Sequence, residues 1–469
     1  MHSTKVNATS DFLRIQRGTN GSVRARIESS TVSAHGMSFA MPVSVERVHL
    51  WRRFAVVLAV FAGVAVMSLM MASVTIQSIG QGVERPLATP LTDPTTARRL
   101  DRSDIVYVGG FRLPAEEMDG ASFDFGGSPI AYNPGSDSLF VGTRGSKVAE
   151  VTIPSPVNSS RVDDLPFARY LQPFRDPTEG RIREVANEGA YVSGLLVYQG
   201  RLYGSGVIYY DAEHAQEYTH FSRSLRLSDD NVKGMVRVGE KGKAGFVSGY
   251  LAAVPAEWQS AIGGPAITGQ CCIPIVGRTS WGPAAFAWNP ADLGAVSPVP
   301  ARPLVYYTSD HPTLGSWEGS NATYGGTIQM GGVVIAGRTA LFVGRNGLGP
   351  FCYGTGTADQ ARANAHATEA ERYCYDPVSS DKGQHAYPYR NQFWAYDLTD
   401  LAQVSARKKD PWQVTPYGVW AFDLPTPEAT KVVGGVGFDA ARRLLYVSQM
   451  SADRDGYAYR PVIHVFRIL

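Results

Sequence analysis

The apolar positions along this chain alternate with polar ones in short runs, and the runs recur in sets. Between residues 123 and 425, four sets of four runs follow one another, separated by turns rich in Gly, Pro, Asn and Asp. A fifth set, from residue 432 to residue 469, contains only three runs. Such alternation between turn residues is typical of half-buried β-strands. The pattern therefore predicts five successive antiparallel sheets, of which the last lacks one strand.

The missing strand is predicted at the other end of the folded region, in DIVYVGGFRLP (residues 104–114). A ring of sheets that takes its final strand from its first segment has no open edge. We therefore predict an all-β fold, a five-bladed β-propeller closed by an N-terminal strand. Six or seven blades are possible if a set counted here as one contains two blades. A pair of β-sandwiches is the alternative fold. In blade three, FVSGYLAAVP (246–255) and IPIVGR (273–278) are the predicted first and second strands.

The region before the sheets contains a candidate membrane segment. Residues 54–76 form an uncharged apolar run of 23 residues, longer than the roughly 18–20 that span a bilayer. Eight Lys or Arg against three Asp or Glu precede it, which places residues 1–53 in the cytoplasm and the rest outside. A cleaved signal sequence is the alternative, although its apolar region is usually shorter. We predict a disordered basic segment (1–53), a transmembrane helix or signal sequence (54–76), a polar linker (77–103) and the propeller domain (104–469).

The cysteines point to an oxidising compartment. The chain has four of them, and disulfides persist mainly in secreted and cell-envelope proteins. Cys352 and Cys374 flank a Gly- and Ala-rich stretch and are the predicted disulfide, whereas the pairing of the adjacent Cys271 and Cys272 is open. We expect a protein of the cell envelope or a secreted protein, with the C-terminal domain outside the cytoplasm.

Charge and motifs exclude several classes of protein. Lys and Arg number 44 against 42 Asp and Glu, without the basic excess of nucleic-acid-binding proteins. No Walker loop, dinucleotide fingerprint or zinc-type spacing is present. The sequence therefore predicts no nucleic-acid partner, no cofactor and no metal site.

One face of the predicted propeller gathers candidate binding residues. We call it the upper face: it is formed by the loops between the second and third strands of each blade and by the loops between blades. Three predicted second strands end in VGTR or VGR, which places Arg144, Arg278 and Arg345 at equivalent positions there. The planar guanidinium fork matches carboxylate, sulfate and phosphate groups. These three arginines are therefore predicted to bind a ligand.

Other upper-face loops supply further candidates. Side chains that could contact the same ligand are Tyr209, Tyr210, Trp281, Trp317 and Gln449. Residues that could carry chemistry are Asp124, Glu188, Glu318 and His220. The three carboxylates precede innermost strands and could supply the acid and base of glycoside hydrolysis. His220 beside an arginine could instead abstract a proton in a polysaccharide lyase.

A structural interpretation applies to the same residues. The arginines could pair with Asp124, Glu188 and Glu318 of adjacent loops and tie the blades together, since structural ion pairs outnumber catalytic ones. Trp281 and Trp317 could belong to the hydrophobic core, as large aromatic residues usually do.

In architecture the chain resembles the five-bladed propeller superfamily that includes arabinanase-like and levansucrase-like glycosidases. The resemblance implies three inward carboxylates. Asp124 and Glu188 match two of them by position, and blade three offers no third, because Glu318 precedes blade four. In sequence, the chain also resembles a set of exported bacterial proteins without an assigned activity. The stretches that carry this resemblance are YVGGFRLP, AYNPGSDSLFVG, RTSWGPAAFAWNP and HAYPYRNQFWAYDL.

Three functional hypotheses follow. The favoured one is a membrane-anchored, extracytoplasmic propeller that binds a glycan or another anionic envelope component, because the arginine repeats without a convincing catalytic set. The second is a carbohydrate-active enzyme, either a glycoside hydrolase or a polysaccharide lyase. The third is a protein-interaction scaffold whose insertions contact a partner.

Overall fold

The computed structural model describes residues 93–270, 279–319, 321–368, 371–427 and 432–469. These residues form an all-β fold with few and short helices. The α-helices among them are α1 (Ala244–Val247), α2 (Ala256–Ile262) and α3 (Leu398–Ser405). The 3-10 turns are Pro94–Thr96, Arg102–Asp104, Val162–Asp164, Arg181–Glu184, Pro290–Asp292, Gln360–Arg362 and Pro411–Gln413.

Three antiparallel sheets follow one another along the first half of the fold. The chain starts with β1 (Ile105–Arg112), which joins the last sheet. Sheet one contains β2 (Ile130–Asn133), β3 (Ser138–Gly142), β4 (Val148–Thr152) and β5 (Tyr170–Arg175). Sheet two contains β6 (Ala190–Tyr198), β7 (Arg201–Ile208), β8 (His220–Ser224) and β9 (Lys233–Val236). Sheet three contains β10 (Leu251–Ala253), β11 (Ala266–Thr268), β12 (Ala285–Trp288) and β13 (Ala301–Val305).

Two further sheets complete the set. A small hairpin, β14 (Asp310–His311) and β15 (Gly315–Ser316), precedes sheet four. Sheet four starts with β16 (Gln329–Ala336) and β17 (Thr339–Gly347). An insertion then forms β18 (Cys352–Thr357), β19 (His366–Thr368), β20 (Glu371–Tyr375) and β21 (Lys382–His385). The sheet ends with β22 (Tyr389–Asp397) and β23 (Gly418–Ala421). Sheet five contains β24 (Val433–Asp439), β25 (Leu444–Asp455), β26 (Ala458–Ile468) and β1.

The five sheets close into a ring through their first strands. The innermost strands β2, β6, β10, β16 and β24 each contact the innermost strands of both neighbouring sheets, and β24 contacts β2. This arrangement is consistent with a β-propeller, and the sheets are called blades one to five below. Apolar side chains pack between adjacent blades, for example Phe393 of blade four against Phe466 of blade five, with ring centroids 5.9 Å apart. Burying each large apolar side chain stabilises the fold by about 1.5–3 kcal/mol.

The N-terminal strand closes blade five, as the sequence predicts. β1 runs antiparallel to β26, with Ile105 opposite Ile468 and Arg112 opposite Val462. The connection between β4 and β5 covers the outer edge of β1, where Gly110 and Val157 exchange backbone hydrogen bonds of 2.9 and 3.0 Å. A covered edge cannot template pairing with another chain.

A glycine stands at the start of every innermost strand, in FGGSPI, VSGLL, VSGYL, MGGVV and VGGVG. The strands converge so closely there that side chains would collide with the neighbouring backbone. A Cβ atom added to Gly194 would lie 1.9 Å from the carbonyl oxygen of Gly249. Contacts closer than 3.0 Å are essentially absent for real Cβ atoms. This repeated glycine marks the blade starts more sharply than the apolar alternation does.

Blade three differs from the prediction. Its first strand is only Leu251–Ala253, because residues 244–247 form helix α1. Its second strand is Ala266–Thr268, paired with β10 and β12, so the assignment of residues 273–278 as the second strand is wrong. Helix α2 lies between the first and second strands, and this insertion moved the predicted register past the short apolar run of β11. Residues 271–278 themselves lie outside the described residues.

The packed region begins ahead of residue 104. Leu100 is buried, and its backbone N–H donates to the Thr339 hydroxyl of blade four at 3.0 Å. Arg338 donates to the carbonyl oxygen of Thr95 at 2.6 Å. No helix among the described residues is long and apolar enough to cross a membrane. The predicted membrane segment, residues 54–76, lies outside them, as do residues 1–53 and most of the predicted linker.

The insertion of blade four is closed by the predicted disulfide. Cys352 and Cys374 are bonded, with their Cα atoms 5.7 Å apart, which confirms the pairing. Strand β18 pairs with both β20 and β21, so the cross-link lies within a small sheet of its own. A disulfide fits an oxidising, extracytoplasmic location. Cys271 and Cys272 lie outside the described residues.

Candidate functional site

Contacts between blades show that the loops of the upper face lie on one side of the molecule. The backbone N–H of Phe125, just before β2, donates to the carbonyl oxygen of Tyr459 at the start of β26, at 2.7 Å. The hydroxyl of Ser193 in β6 donates to the carbonyl oxygen of Ser248, just before β10, at 2.5 Å. Both contacts join the beginning of an innermost strand to the upper edge of its neighbour. The loops that leave this edge therefore share one surface.

Strongly exposed aromatic side chains are concentrated on that surface. Among the described residues, seven Phe or Tyr side chains are strongly exposed, and six of them lie in upper-face loops or in the insertion: Phe125, Tyr209, Tyr210, Tyr218, Tyr353 and Tyr457. The most exposed is Tyr457, at 95%, on the tip of the hairpin between β25 and β26. The seventh, Phe167, lies beside β1 on the outer wall, where the guanidinium of Arg112 covers its ring at 3.8 Å. This one-sided distribution marks the upper face as a contact surface.

Two aromatic rings and two arginines meet where blade five adjoins blade one. The rings of Phe125 and Tyr459 are stacked with centroids 5.2 Å apart. The Cζ of Arg144 lies 5.6 Å from the centroid of Phe125, and the Cζ of Arg454 lies 5.1 Å from that of Tyr459. We call these four residues the seam cluster. Arg144 forms no ion pair with any described residue, so its charge is available to a ligand.

The sequence predicts Arg345 at the same place in blade four as Arg144 in blade one, but Arg345 lies inside β17, opposite Gln329, whereas Arg144 lies two residues beyond the end of β3. Arg345 ends up half-buried, with its Cζ 4.1 Å above the ring of Tyr389 and its Nη2 donating to Gln329 Oε1 at 3.1 Å. Cation–π stacking of this kind favours arginine over lysine.

A buried hydrogen-bond network fixes Tyr389 in place. Its hydroxyl donates to Asp376 Oδ2 at 2.5 Å, and His385 Nδ1 donates to the same oxygen at 2.8 Å. His385 Nε2 lies 3.0 Å from the carbonyl oxygen of Asp381, so both ring nitrogens face acceptors. Burial opposes the charge on His385, but the hydrogen bond and charge of Asp376 outweigh it and raise the pKa of His385. Burial likewise opposes the charge on Asp376, and the bonds from His385 and Tyr389 outweigh it and lower the pKa of Asp376.

The two predicted tryptophans lie together at the border of blades three and four. Trp281 and Trp317 are stacked with centroids 4.3 Å apart, and Phe351 of the insertion meets Trp317 edge-on at 4.7 Å. Trp281 is fully buried in the hydrophobic core, whereas Trp317 is half-buried. Only Trp317 therefore keeps a ring surface that a ligand could reach.

The three predicted carboxylates lie in loops before three different blades. Glu188 and Glu318 are exposed, and Asp124 is half-buried. None of them forms an ion pair with Arg144 or Arg345, so the blade-linking pairs of the structural interpretation are absent among the described residues. The hydroxyl of Ser122 donates to Asp124 Oδ2 at 2.8 Å, while Oδ1 is buried without a partner in the described region. No group of His, Cys, Asp or Glu among the described residues is arranged to hold a metal ion.

His220 and Gln449 lie in the interior. His220 is fully buried between blades two and three, with hydrogen bonds of 2.8 Å to Thr219 Oγ1 and 3.0 Å to Thr268 Oγ1. Burial lowers the pKa of His220 to about 3, so the ring is neutral. Gln449 is also fully buried, and its Oε1 accepts from Thr426 and contacts His464 Nε2 at 2.9 Å. A ligand on the surface reaches neither side chain directly.

The remaining predicted residues divide into two groups. Tyr209 and Tyr210 lie exposed in the loop between β7 and β8, on the upper face. Arg278 lies outside the described residues, and with residues 273–278 removed from the second strand its equivalence to Arg144 and Arg345 no longer follows. Upper-face residues that the sequence did not single out are Phe125, Tyr218, Tyr353, Arg454, Tyr457 and Tyr459. The sequence could have indicated these residues, because each is an aromatic or basic residue in or beside a predicted loop.

Comparison with known proteins does not identify an activity for this chain. No family model and no curated protein matches the chain. Among solved structures, the chain is similar to the GH43 endo-arabinanase from Bacillus licheniformis, with 10% sequence identity over 73% of this chain and 96% of that one. The TM-score is 0.34, and a likeness at that level supports no inference about activity.

Proposed function

We propose that this protein is an extracytoplasmic β-propeller that binds a glycan, or another anionic component of the cell envelope, on its upper face. The proposal places the aromatic side chains of the upper-face loops against the ligand. We further propose that residues 54–76 anchor the domain in a membrane. The disulfide between Cys352 and Cys374 supports the location outside the cytoplasm.

The observation that carries the proposal is the one-sided distribution of exposed aromatic side chains. Six of the seven lie in upper-face loops or the insertion, and they come from blades one, two, four and five. Tyrosine combines a large apolar face with a polar tip, which suits a partner that is both apolar and hydrated. A sugar ring offers C–H faces for stacking and hydroxyl groups for hydrogen bonds, so it matches this surface.

The arrangement favours binding over catalysis. Glycoside hydrolysis needs two carboxyl groups about 5–9.5 Å apart across one bond. Of the predicted catalytic residues, Glu188 and Glu318 are exposed to solvent, and His220 is fully buried and out of reach of a ligand. We therefore place the carbohydrate-active enzyme second, and the interaction scaffold third because the aromatic residues are not confined to the insertion.

The test is a glycan array with the full chain in a mild detergent, using neutral, uronic and sulfated glycans. We expect binding to at least one class without shortening of the glycan. Tyr210→Ala and Tyr457→Ala should each weaken binding roughly tenfold, as expected for exposed anchors at an interface. Phe167→Ala on the outer wall is the matched control and should leave binding unchanged. Absence of any glycan binding would contradict a glycan as the ligand, and cleavage of a bound glycan would favour the enzyme instead.

A further inference from the structure

The seam cluster presents its two rings and two arginines from a rigid base. In the hairpin between β25 and β26, Arg454 lies directly opposite Tyr459, so the contact of cation and ring is set by strand register. One residue further along each strand, Asp453 and Arg460 form a buried ion pair of 3.2 Å. The hairpin is therefore anchored at its base, directly behind the exposed side chains.

Phe125 is held in an unusual backbone conformation. Its φ is +57°, in the left-handed region that residues with a bulky side chain rarely adopt. Its N–H donates to the carbonyl oxygen of Tyr459 at 2.7 Å, which fixes the loop before β2 to the hairpin of blade five. Backbone strain of this kind persists where the surroundings enforce it, and it concentrates at functional sites. Here it keeps the ring exposed at 41%.

The charges of the cluster define the ligand's chemistry. Arg144 and Arg454 are both exposed. Arg454 Nε donates to the carbonyl oxygen of Ser451 at 3.3 Å, and because a guanidinium carries several N–H donors, each arginine can also donate to an anionic group. A ligand that suits the cluster therefore carries an apolar ring face and an anionic group.

We propose that the seam cluster is a subsite for an acidic sugar residue, in which the ring lies against Phe125 and Tyr459 and the anionic group lies between Arg144 and Arg454. This inference rests on the proposed function and deepens it, since it selects acidic over neutral glycans. Nucleic acid also offers stacking faces and anions, but the near balance of 44 basic and 42 acidic residues disfavours it.

The experiment compares two forms of one polymer on the full chain in detergent. The probes are oligogalacturonate and its carboxyl-reduced, neutral counterpart, with a sulfated dextran and a single-stranded oligonucleotide as further arms. We expect at least tenfold tighter binding of the acidic form, because charge-assisted hydrogen bonds to arginine contribute most of the selectivity. Binding of the sulfated dextran would show that the subsite recognises the negative charge of the ligand and does not require a carboxylate.

Variants locate the selectivity. Arg144→Ala combined with Arg454→Ala should abolish the preference, so that the acidic form binds no more tightly than the neutral form to the same variant. The control Arg226→Ala removes an arginine with a 77% exposed side chain from the loop between β8 and β9, away from the upper face, and should keep the preference. Circular dichroism confirms that each variant is folded.

Three results separate the outcomes. Equal binding of both polymer forms by the wild type would overturn the acidic subsite and leave the proposed function intact. If neither polymer form binds, and no glycan on the array binds, both the acidic subsite and the proposed glycan-binding function are overturned. Selective binding of the oligonucleotide alone would replace the acidic sugar by a nucleic acid.

Discussion

Arg144 of blade one and Arg345 of blade four belong to the same sequence motif, VGTR or VGR, yet their surroundings differ. Arg144 lies in a loop, two residues after the end of β3, whereas Arg345 lies inside β17. Arg144 is exposed beside the partly exposed ring of Phe125 and forms no ion pair with a described carboxylate. Arg345 is half-buried, stacked on Tyr389 and bonded to Gln329. The disulfide-closed insertion follows directly after Arg345, and no comparable segment follows Arg144.

The difference shows that a shared sequence motif does not decide the role of a side chain. An arginine held by contacts inside the protein stabilises the fold, whereas one left in water is available for a ligand. In blade four, the arginine stacks on Tyr389, which is hydrogen-bonded to Asp376 of the insertion. In blade one, the arginine is exposed to solvent. Changes on either side of this comparison should therefore affect different properties.

The largest effect is expected from removing the carboxylate beneath Arg345. Asp376→Ala leaves the buried His385 and the hydroxyl of the half-buried Tyr389 without their acceptor, and breaking a buried pair such as Asp376 and His385 costs about 3–5 kcal/mol. Denaturant unfolding and hydrogen exchange of the insertion should both report the loss. Asp381→Ala, an exposed carboxylate of the same insertion, should change the unfolding free energy by less than about 0.5 kcal/mol. Equal effects of the two changes would contradict the buried network.

Opening the disulfide should have the next largest effect. Cys352→Ser removes a cross-link between residues 22 positions apart, which stabilises by about 3 kcal/mol in the chain-entropy description. Proteolysis of the insertion should become faster under native conditions, while the seam cluster keeps its glycan binding. Loss of glycan binding together with the disulfide would show that the two regions are not independent.

The insertion should also respond to pH through His385. Its pKa is raised in the folded state, so its contribution is fully present below the unfolded value of about 6.5 and is lost as pH rises through the folded value. The pKa of Asp376 is lowered, so its contribution is present above about 3.9 and is lost as pH falls through the folded value. Hydrogen exchange, expressed as protection relative to the intrinsic exchange rate at each pH, should therefore show the insertion loosening as pH rises above about 6.5. His385→Gln should remove this slope, and an unchanged slope would exclude His385 as its source.

The smallest effects compare the two arginines themselves. Arg345→Ala removes a cation–π contact and a hydrogen bond and should destabilise the fold by about 1–2 kcal/mol. Arg144→Ala should change the unfolding free energy by less than about 0.5 kcal/mol, and should instead weaken binding of acidic glycans. Thermal denaturation and glycan titration of the same two variants separate these properties. A reversed outcome would mean that the roles are exchanged.

Much of the fold was predictable because each blade repeats the same local signals. The runs of blades one, two, four and five match observed strands, and residues 104–114 contain the closing strand β1. Blade three failed because a helix separates its first two strands, and because β11 has only three residues. Alternation cannot be recognised in so short a run.

The candidate site was less predictable, for a physical reason. Loop position alone pointed to Arg144, Tyr209 and Tyr210. The contact between Phe125 and Tyr459 depends on ring closure, which brings together residues from opposite ends of the domain. The burial of His220 depends on Trp288 of the next blade, whose ring lies 4.9 Å away. Contacts between blades are not encoded in the alternation within one blade.

The most direct test of the account compares two phenylalanines of nearly equal exposure, Phe125 at 41% on the upper face and Phe167 at 43% on the outer wall. We would measure the affinity of the full chain for a glycan that it binds, in the wild type, Phe125→Ala and Phe167→Ala. The account predicts roughly tenfold weaker binding for Phe125→Ala alone. Equal affinities for all three proteins, or a loss confined to Phe167→Ala, would contradict the assignment of the upper face as the binding surface.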